Sequence, residues 1–175
     1  SAVELGQALE WLARTGAAGG QPLRSFDALA EIFRLAPGHL LFSLSRLERD
    51  TWLRRIYSTD PVRHRPGATK DMAGTGYCDA VVRRRSHLLS RDAADLRANF
   101  QDHDAMIADG IGCAINLCLQ YDGQVVGSAN LLSRPGAYGL DTLAHLSRFA
   151  FPLALLVAQS AAAGDITSTG LEGHG

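Results

Sequence analysis

The chain has 175 residues, 46% of them hydrophobic and 20% charged, with a formal net charge of −1. That balance suits one globular domain able to bury roughly two thirds of its unfolded surface; it excludes a disordered chain and a generic polyanion binder, so no nucleic-acid partner is expected. Three cysteines without a C-x-x-C spacing make no disulfide framework, and the first residues lack the order of an export signal, so a reducing, cytoplasmic compartment is expected.

Within residues 3–14, Leu5, Leu9 and Leu12 recur at helical spacing and predict a first helix, followed by a linker to residue 24. Ser25 is placed to cap a second helix with Phe26, Leu29, Ala30 and Phe33 as its buried stripe, closed by Pro37-Gly38. Residues 39–47 and 51–58 predict a strand hairpin turning at Glu48-Arg49-Asp50. Five breakers between residues 59 and 76 (Pro61, Pro66, Gly67, Gly74, Gly76) predict one long loop, a length at which loops often carry function. Lys70, the sole lysine, reads there as a solvent contact.

Residues 77–85 predict a short helix with Ala80, Val81 and Val82 inward, and with Arg83, Arg84 and Arg85 as its solvated end. A short strand at 86–90 precedes a helix capped by Asp92, on which Ala93, Leu96 and Phe100 share a face. Asp102-His103-Asp104 opens a further short helix. His103 has no second His at i+3 or i+4, so no metal site is assigned, and no catalytic residue is assigned either.

Residues 110–132 hold two apolar runs joined at Asp122-Gly123, the pair that a type I′ hairpin turn demands. Uninterrupted register from that turn sets Leu119 opposite Val126, Leu117 opposite Ser128, Ile115 opposite Asn130 and Cys113 opposite Leu132. Asn116 then faces the other way, and the two amides share a pocket only if a bulge intervenes. The face of Ser128 and Asn130 is favoured as a pocket floor. From about residue 140, Leu143, Leu146, Ala150, Leu153 and Val157 form a core stripe or a coiled seam on a helix that Pro152 should bend. The apolar run 149–158 is shorter than the ~20 residues of a membrane span, so no membrane partner is expected. Residues 164–175 read as a frayed tail. This order predicts an α+β fold, an antiparallel sheet backed by N- and C-terminal helices, with a layer of loops and short helices on its other face.

Two stretches then look familiar: Gly76-Tyr77-Cys78-Asp79-Ala80-Val81-Val82 leading to Leu88-Leu89-Ser90-Arg91-Asp92, and the hairpin from Ile115 through Asn116, Asp122-Gly123 and Asn130 to Leu132. Through them the chain resembles GAF domains, small α/β sensor modules. Through Tyr57-Ser58-Thr59-Asp60-Pro61 and Phe100-Gln101-Asp102-His103-Asp104 it is similar to short, stand-alone bacterial GAF proteins of unsettled activity. The resemblance implies a GAF-like domain over residues 25–163 and a pocket between the sheet and the loop layer. Expected there is a small organic ligand, met by Tyr57, Tyr77, Phe100, His103, Cys113, Asn116, Ser128 and Asn130.

The resemblance also implies a sensory or regulatory homodimer joined through residues 5–12 and 143–157, passing its signal to a downstream protein partner. Bilin and cyclic-nucleotide ligands are disfavoured: no Cys is followed by His, and Lys70 follows Thr69 rather than Asn. The cofactor stays unknown. The alternative is a thiol-dependent enzyme on the same fold, similar to free methionine sulfoxide reductases and using Cys78 with Cys113 or Cys118. Cys113 and Cys118, five apart on one strand, face opposite ways and are not bonded to each other.

Overall fold

The computed structural model describes the backbone of residues 2–169 and the side chains of residues 6–160. Helices α1 (Ala2–Gly16) and α2 (Leu23–Leu35) precede the hairpin β1 (Leu41–Arg49) and β2 (Trp52–Ser58). The segment expected as one long loop contains a short strand, β3 (Thr69–Asp71), paired antiparallel with β2. A π-helical segment, Cys78–Arg83, leads to β4 (Leu88–Ser90), α3 (Ala93–Asn99) and α4 (His103–Ala108). The second hairpin follows as β5 (Cys113–Tyr121) and β6 (Gln124–Ser133), then α5 (Leu140–Leu146), a 3-10 turn (Ser147–Phe149) and α6 (Ala150–Thr169).

The described strands form one antiparallel sheet in the order β3-β2-β1-β6-β5-β4. Its two faces carry different layers. Phe26, Leu29 and Phe33 of α2, with Leu146, Phe149, Leu153 and Val157, bury one face through Phe42, Leu44, Ile115, Leu117 and Leu131. Against the other face pack Tyr77, Cys78, Val81, Leu96, Phe100 and Met106 from the loop and short-helix layer. The expected α+β architecture is therefore the observed one.

Local chemistry explains where elements start and where expectation and structure part. Asp92 caps α3, its carboxylate accepting from the Ala94 and Asp95 amides. Ser25 does not cap α2; the N-cap is Pro22, and buried Ser25 donates to Gln21 Oε1 at 2.6 Å. The Gln21 amide in turn donates to the Thr15 and Ala18 carbonyls, which ties the end of α1 to the start of α2. On α1 the core-side residues are Ala8 and Leu12, while Leu9 stays 42% exposed; the Leu5 side chain lies outside the described residues.

The C-terminal helix is broken at Ser147–Phe149 rather than bent at Pro152. Pro152 sits in the first turn of α6, where its missing N–H costs little. The expected stripe is a core stripe: Leu146, Leu153 and Val157 are buried against the sheet, with Leu143 and Ala150 packed beside them. By length and composition alone the helical stretch Leu140–Ser160 would suffice for a membrane span, although the apolar run in it is short. α6 continues to Thr169, into the stretch expected to fray, and residues 170–175 lie outside the described residues.

The Asp122-Gly123 turn is as expected, with φ of 49° and 70° at the two residues. The register above it is not. Gln120 opposes Val125, but Leu119 opposes Gly127, so Val126 is an extra residue on β6. From there every partner shifts by one: Leu117 meets Ala129, Asn116 meets Asn130 and Cys113 meets Ser133. A second bulge lies in the other hairpin, where Leu44 opposes Tyr57 and Ser45 opposes Arg55, leaving Ile56 extra on β2.

Candidate functional site

A cavity of about 250 Å³ lies between the sheet and the short-helix layer. Its floor crosses four strands: Ser43 and Ser45 on β1, Leu53 and Arg55 on β2, Asn116 on β5 and Asn130 on β6. Leu41 and Leu132 extend that floor, and Met72, Tyr77, Phe100 and Met106 supply an apolar roof. Lys70 from β3, Asp102 from the α4 entry and His64 from the loop before β3 close one end. The two bulges create this arrangement, since each re-aims every side chain beyond it.

The floor carries a row of amides and hydroxyls. Asn116 Nδ2 donates to Asn130 Oδ1 at 2.9 Å, and Asn130 Nδ2 reaches Ser43 Oγ at 3.5 Å. Asn116 is only 1% exposed, and its Oδ1 has no hydrogen-bond partner among the described residues. Buried acceptors are nearly always satisfied, so an orphan on a residue that lines a cavity stands out. In the roof, Tyr77 is fully buried and its hydroxyl donates to Ser128 Oγ at 2.6 Å, which fixes the roof to the floor. The Tyr77 and Phe100 rings lie 6.0 Å apart at 46°.

The cationic end is uneven. Lys70 Nζ lies 2.7 Å from Asp102 Oδ1, so the residue expected to face solvent is an ion-paired wall of the cavity. Arg55 has no side-chain hydrogen bond or ion pair among the described residues, and its Nε is buried. Burial pulls the Arg55 guanidinium below its usual range, with the Asp102 charge opposing. Burial and then the nearby Arg55 charge lower the His64 pKa, so its imidazole is neutral at pH 7.

Of the eight residues expected at a ligand, the structure brings Tyr77, Phe100, Asn116 and Asn130 to the cavity, with Ser128 behind Tyr77 on the same sheet face. Tyr57 and Cys113 lie on the opposite face, in the core beneath the terminal helices. The bulge at Ile56 turns Tyr57 toward α2, where its hydroxyl donates to Asp27 at 2.8 Å. The bulge at Val126 puts Ser128 and Asn130 opposite Cys118 and Asn116, and Cys113 with Ile115 and Leu117 under the helices. His103 is outside the cavity lining; its Nδ1 is 2.8 Å from the Phe100 carbonyl and its Nε2 is 3.4 Å from Asp104.

Sequence reading missed Arg55, Ser43 and Ser45. The signal was alternation: Leu53 and Arg55 share a face of β2, and a guanidinium between apolar neighbours needs a partner. All three thiols are buried. Burial raises each pKa, that of Cys118 to about 11, and the Cys118 thiol donates to the Val81 carbonyl at 3.2 Å.

No protein-family model matches the chain, and no curated protein matches it. Solved structures do. The GAF domain from an Acinetobacter phosphoenolpyruvate-protein phosphotransferase superposes with a TM-score of 0.73 at 14% identity, covering 94% of this chain and 99% of its own. The GAF domain of a two-component sensor histidine kinase from Bacillus halodurans gives 0.65 at 16%, covering 79% and 95%. A type II free methionine-R-sulfoxide reductase from Thermoplasma acidophilum gives 0.58 at 17%, covering 77% and 90%. With its open antiparallel sheet between terminal helices and a short-helix layer, the chain has the fold of GAF domains.

Proposed function

We propose that this chain is a small-molecule-binding regulatory module whose ligand occupies the cavity over Asn116 and Asn130. One observation carries the reading: Asn116, whose buried Oδ1 has no partner, is among the residues that line the cavity. An unpaired buried acceptor costs about 1–3 kcal/mol, and a ligand donor would offset that cost. Tyr77, Phe100, Asn116 and Asn130 are the proposed contacts, with Ser128 acting through the Tyr77 hydroxyl. At about 250 Å³ the space is below the usual ~300–1,000 Å³ of drug-sized sites, which favours a metabolite over a nucleotide or tetrapyrrole.

Sharing a fold with GAF domains of a phosphotransferase and of a sensor histidine kinase supports a regulatory setting. The proposal includes a cytoplasmic homodimer that signals to a protein partner. Because the Leu146, Leu153 and Val157 stripe is used by the sheet, the dimer would join through outward residues of the terminal helices such as Trp11 and Phe151, the latter 62% exposed. Thermal-shift screening against a metabolite library tests the ligand. At least one compound should raise the melting temperature of the wild type and fail to do so in Asn116→Leu. A library with no such compound ends the reading.

A second reading, a thiol-dependent reductase, is favoured by the similarity to the methionine-R-sulfoxide reductase structure. Three buried thiols with raised pKa values weigh against it, since the thiolate is the nucleophile. Turnover of free methionine sulfoxide that is lost in Cys78→Ser would reinstate it.

A further inference from the structure

We propose that the ligand is a small organic acid whose carboxylate pairs with Arg55 and whose far end donates a hydrogen bond to Asn116 Oδ1; this rests on the cavity reading above. Charge is the first argument. Among the lining residues Lys70 is neutralised by Asp102 at 2.7 Å and His64 is neutral, so Arg55 is the positive charge left over. Its Nε is buried without a partner on a half-buried side chain, and a buried donor left unpaired is costly. The deficit is one negative charge. A carboxylate monoanion supplies it, and its two oxygens match the planar fork of a guanidinium. A phosphate dianion would leave the end of the cavity over-neutralised.

Shape is the second. Arg55 on β2 and Asn116 on β5 stand three strand spacings and two residues of register apart, about 16 Å between backbones. Between them the roof is apolar, formed by Met72, Tyr77, Phe100 and Met106, so the body of the acid is aliphatic or aromatic. The two polar groups without partners thus sit toward opposite ends of one trough with a polar floor and an apolar roof. One molecule with an acid at one end and an N–H or O–H at the other satisfies both.

The test uses the full chain and a fixed panel: phenylacetate and N-acetylleucine, the neutral amide of each, and inorganic phosphate, measured by thermal shift and calorimetry on wild type, Arg55→Gln and Arg55→Lys. The acids should bind about 10- to 100-fold more tightly than their amides in the wild type, as loss of a charge-assisted pair implies. Arg55→Gln should erase that preference while leaving amide binding and circular dichroism unchanged, and Arg55→Lys should restore part of it. Acids and amides binding alike, acid binding unchanged in Arg55→Gln, phosphate outcompeting both acids, or no panel member binding would each overturn the carboxylate assignment. A neutral hit from the wider library then still supports the cavity reading, whereas a library without hits removes that as well.

Discussion

The amide row makes a quantitative demand on stability. In the wild type one buried acceptor, Asn116 Oδ1, is unpaired, at a cost of about 1–3 kcal/mol, while the 2.9 Å bond from Asn116 to Asn130 returns a net ~0.5–1.5 kcal/mol. Asn116→Leu removes the unpaired acceptor but strips Asn130 Oδ1 of its donor, so its expected effect is within about 1 kcal/mol of zero. Asn130→Leu leaves both ends of the Asn116 amide unsatisfied at a buried position, and should destabilise by about 1–3 kcal/mol. Changing both residues to Leu removes both amides at once, forfeits only the long 3.5 Å contact to Ser43 Oγ, and adds apolar surface in a cavity that Leu41 and Leu132 also line.

The double variant should therefore be more stable than wild type by about 1–2 kcal/mol, or roughly 2–8 °C in melting temperature for a chain of this size. Urea unfolding of the four proteins, without added ligand, gives the coupling energy directly. With Asn116→Leu near zero, a favourable coupling of about 2–5 kcal/mol is expected. Additive losses, with the double variant the weakest of the four, would refute the argument, because they would mean that the amides are fully satisfied in the folded protein. The expected gain also identifies the row as kept for something other than stability.

Other perturbations test the fold around the site. A Cβ at Gly127 would collide with the Ser45 carbonyl oxygen where β6 meets β1, so Gly127→Ala should destabilise by at least about 2 kcal/mol in urea unfolding. Tyr77→Phe removes the 2.6 Å bond to buried Ser128 Oγ and should cost about 1–2 kcal/mol. Acid should weaken the protein through histidines. His87 Nδ1 accepts from the Cys118 amide, and His39 has a buried, unpartnered Nδ1 with Nε2 donating to the Ala30 carbonyl; burial lowers both pKa values. Their neutral-state stability is present above the unfolded value of about 6.5 and is lost as pH falls through the lower folded values. Unfolding free energy should thus drop between pH 7 and pH 5, with a smaller drop in His87→Gln; a profile identical to wild type in that variant would contradict the assignment.

The layers were legible because each rests on a strong local signal: helical spacing in Phe26, Leu29 and Phe33, Asp92 at a cap, and Asp122-Gly123 at a turn that accepts little else. The site was half legible. Tyr77, Phe100 and the two amides were read as ligand-facing from a resemblance and now line one cavity, whereas Arg55, Ser43 and Ser45 went unread because no short motif carries them. Cys113 and Tyr57 lie on the helix side for different reasons. Regular pairing from the Asp122-Gly123 turn puts Cys113 on the face of Asn130, and one extra residue reverses every assignment beyond it. Tyr57, expected at the ligand only through the resemblance, sits beyond the bulge at Ile56 and bonds Asp27 of α2.

That extra residue leaves a weak trace in sequence. Val125 faces the cavity layer, while Val126 packs with the helix-side core, and a third apolar side chain at residue 127 would be crowded there. Glycine at that position follows from the close approach of β1, since the Ser45 carbonyl occupies the space of a side chain. A Val-Val-Gly run that starts two residues after the Asp-Gly pair of a type I′ turn is thus what a bulge asks for: two alternating side chains, then a residue that yields to the neighbouring strand. The consequence reaches the chemistry. Only with Val126 out of register does Asn116 oppose Asn130 and complete the amide row, so the polar floor of the cavity depends on one residue that never touches it.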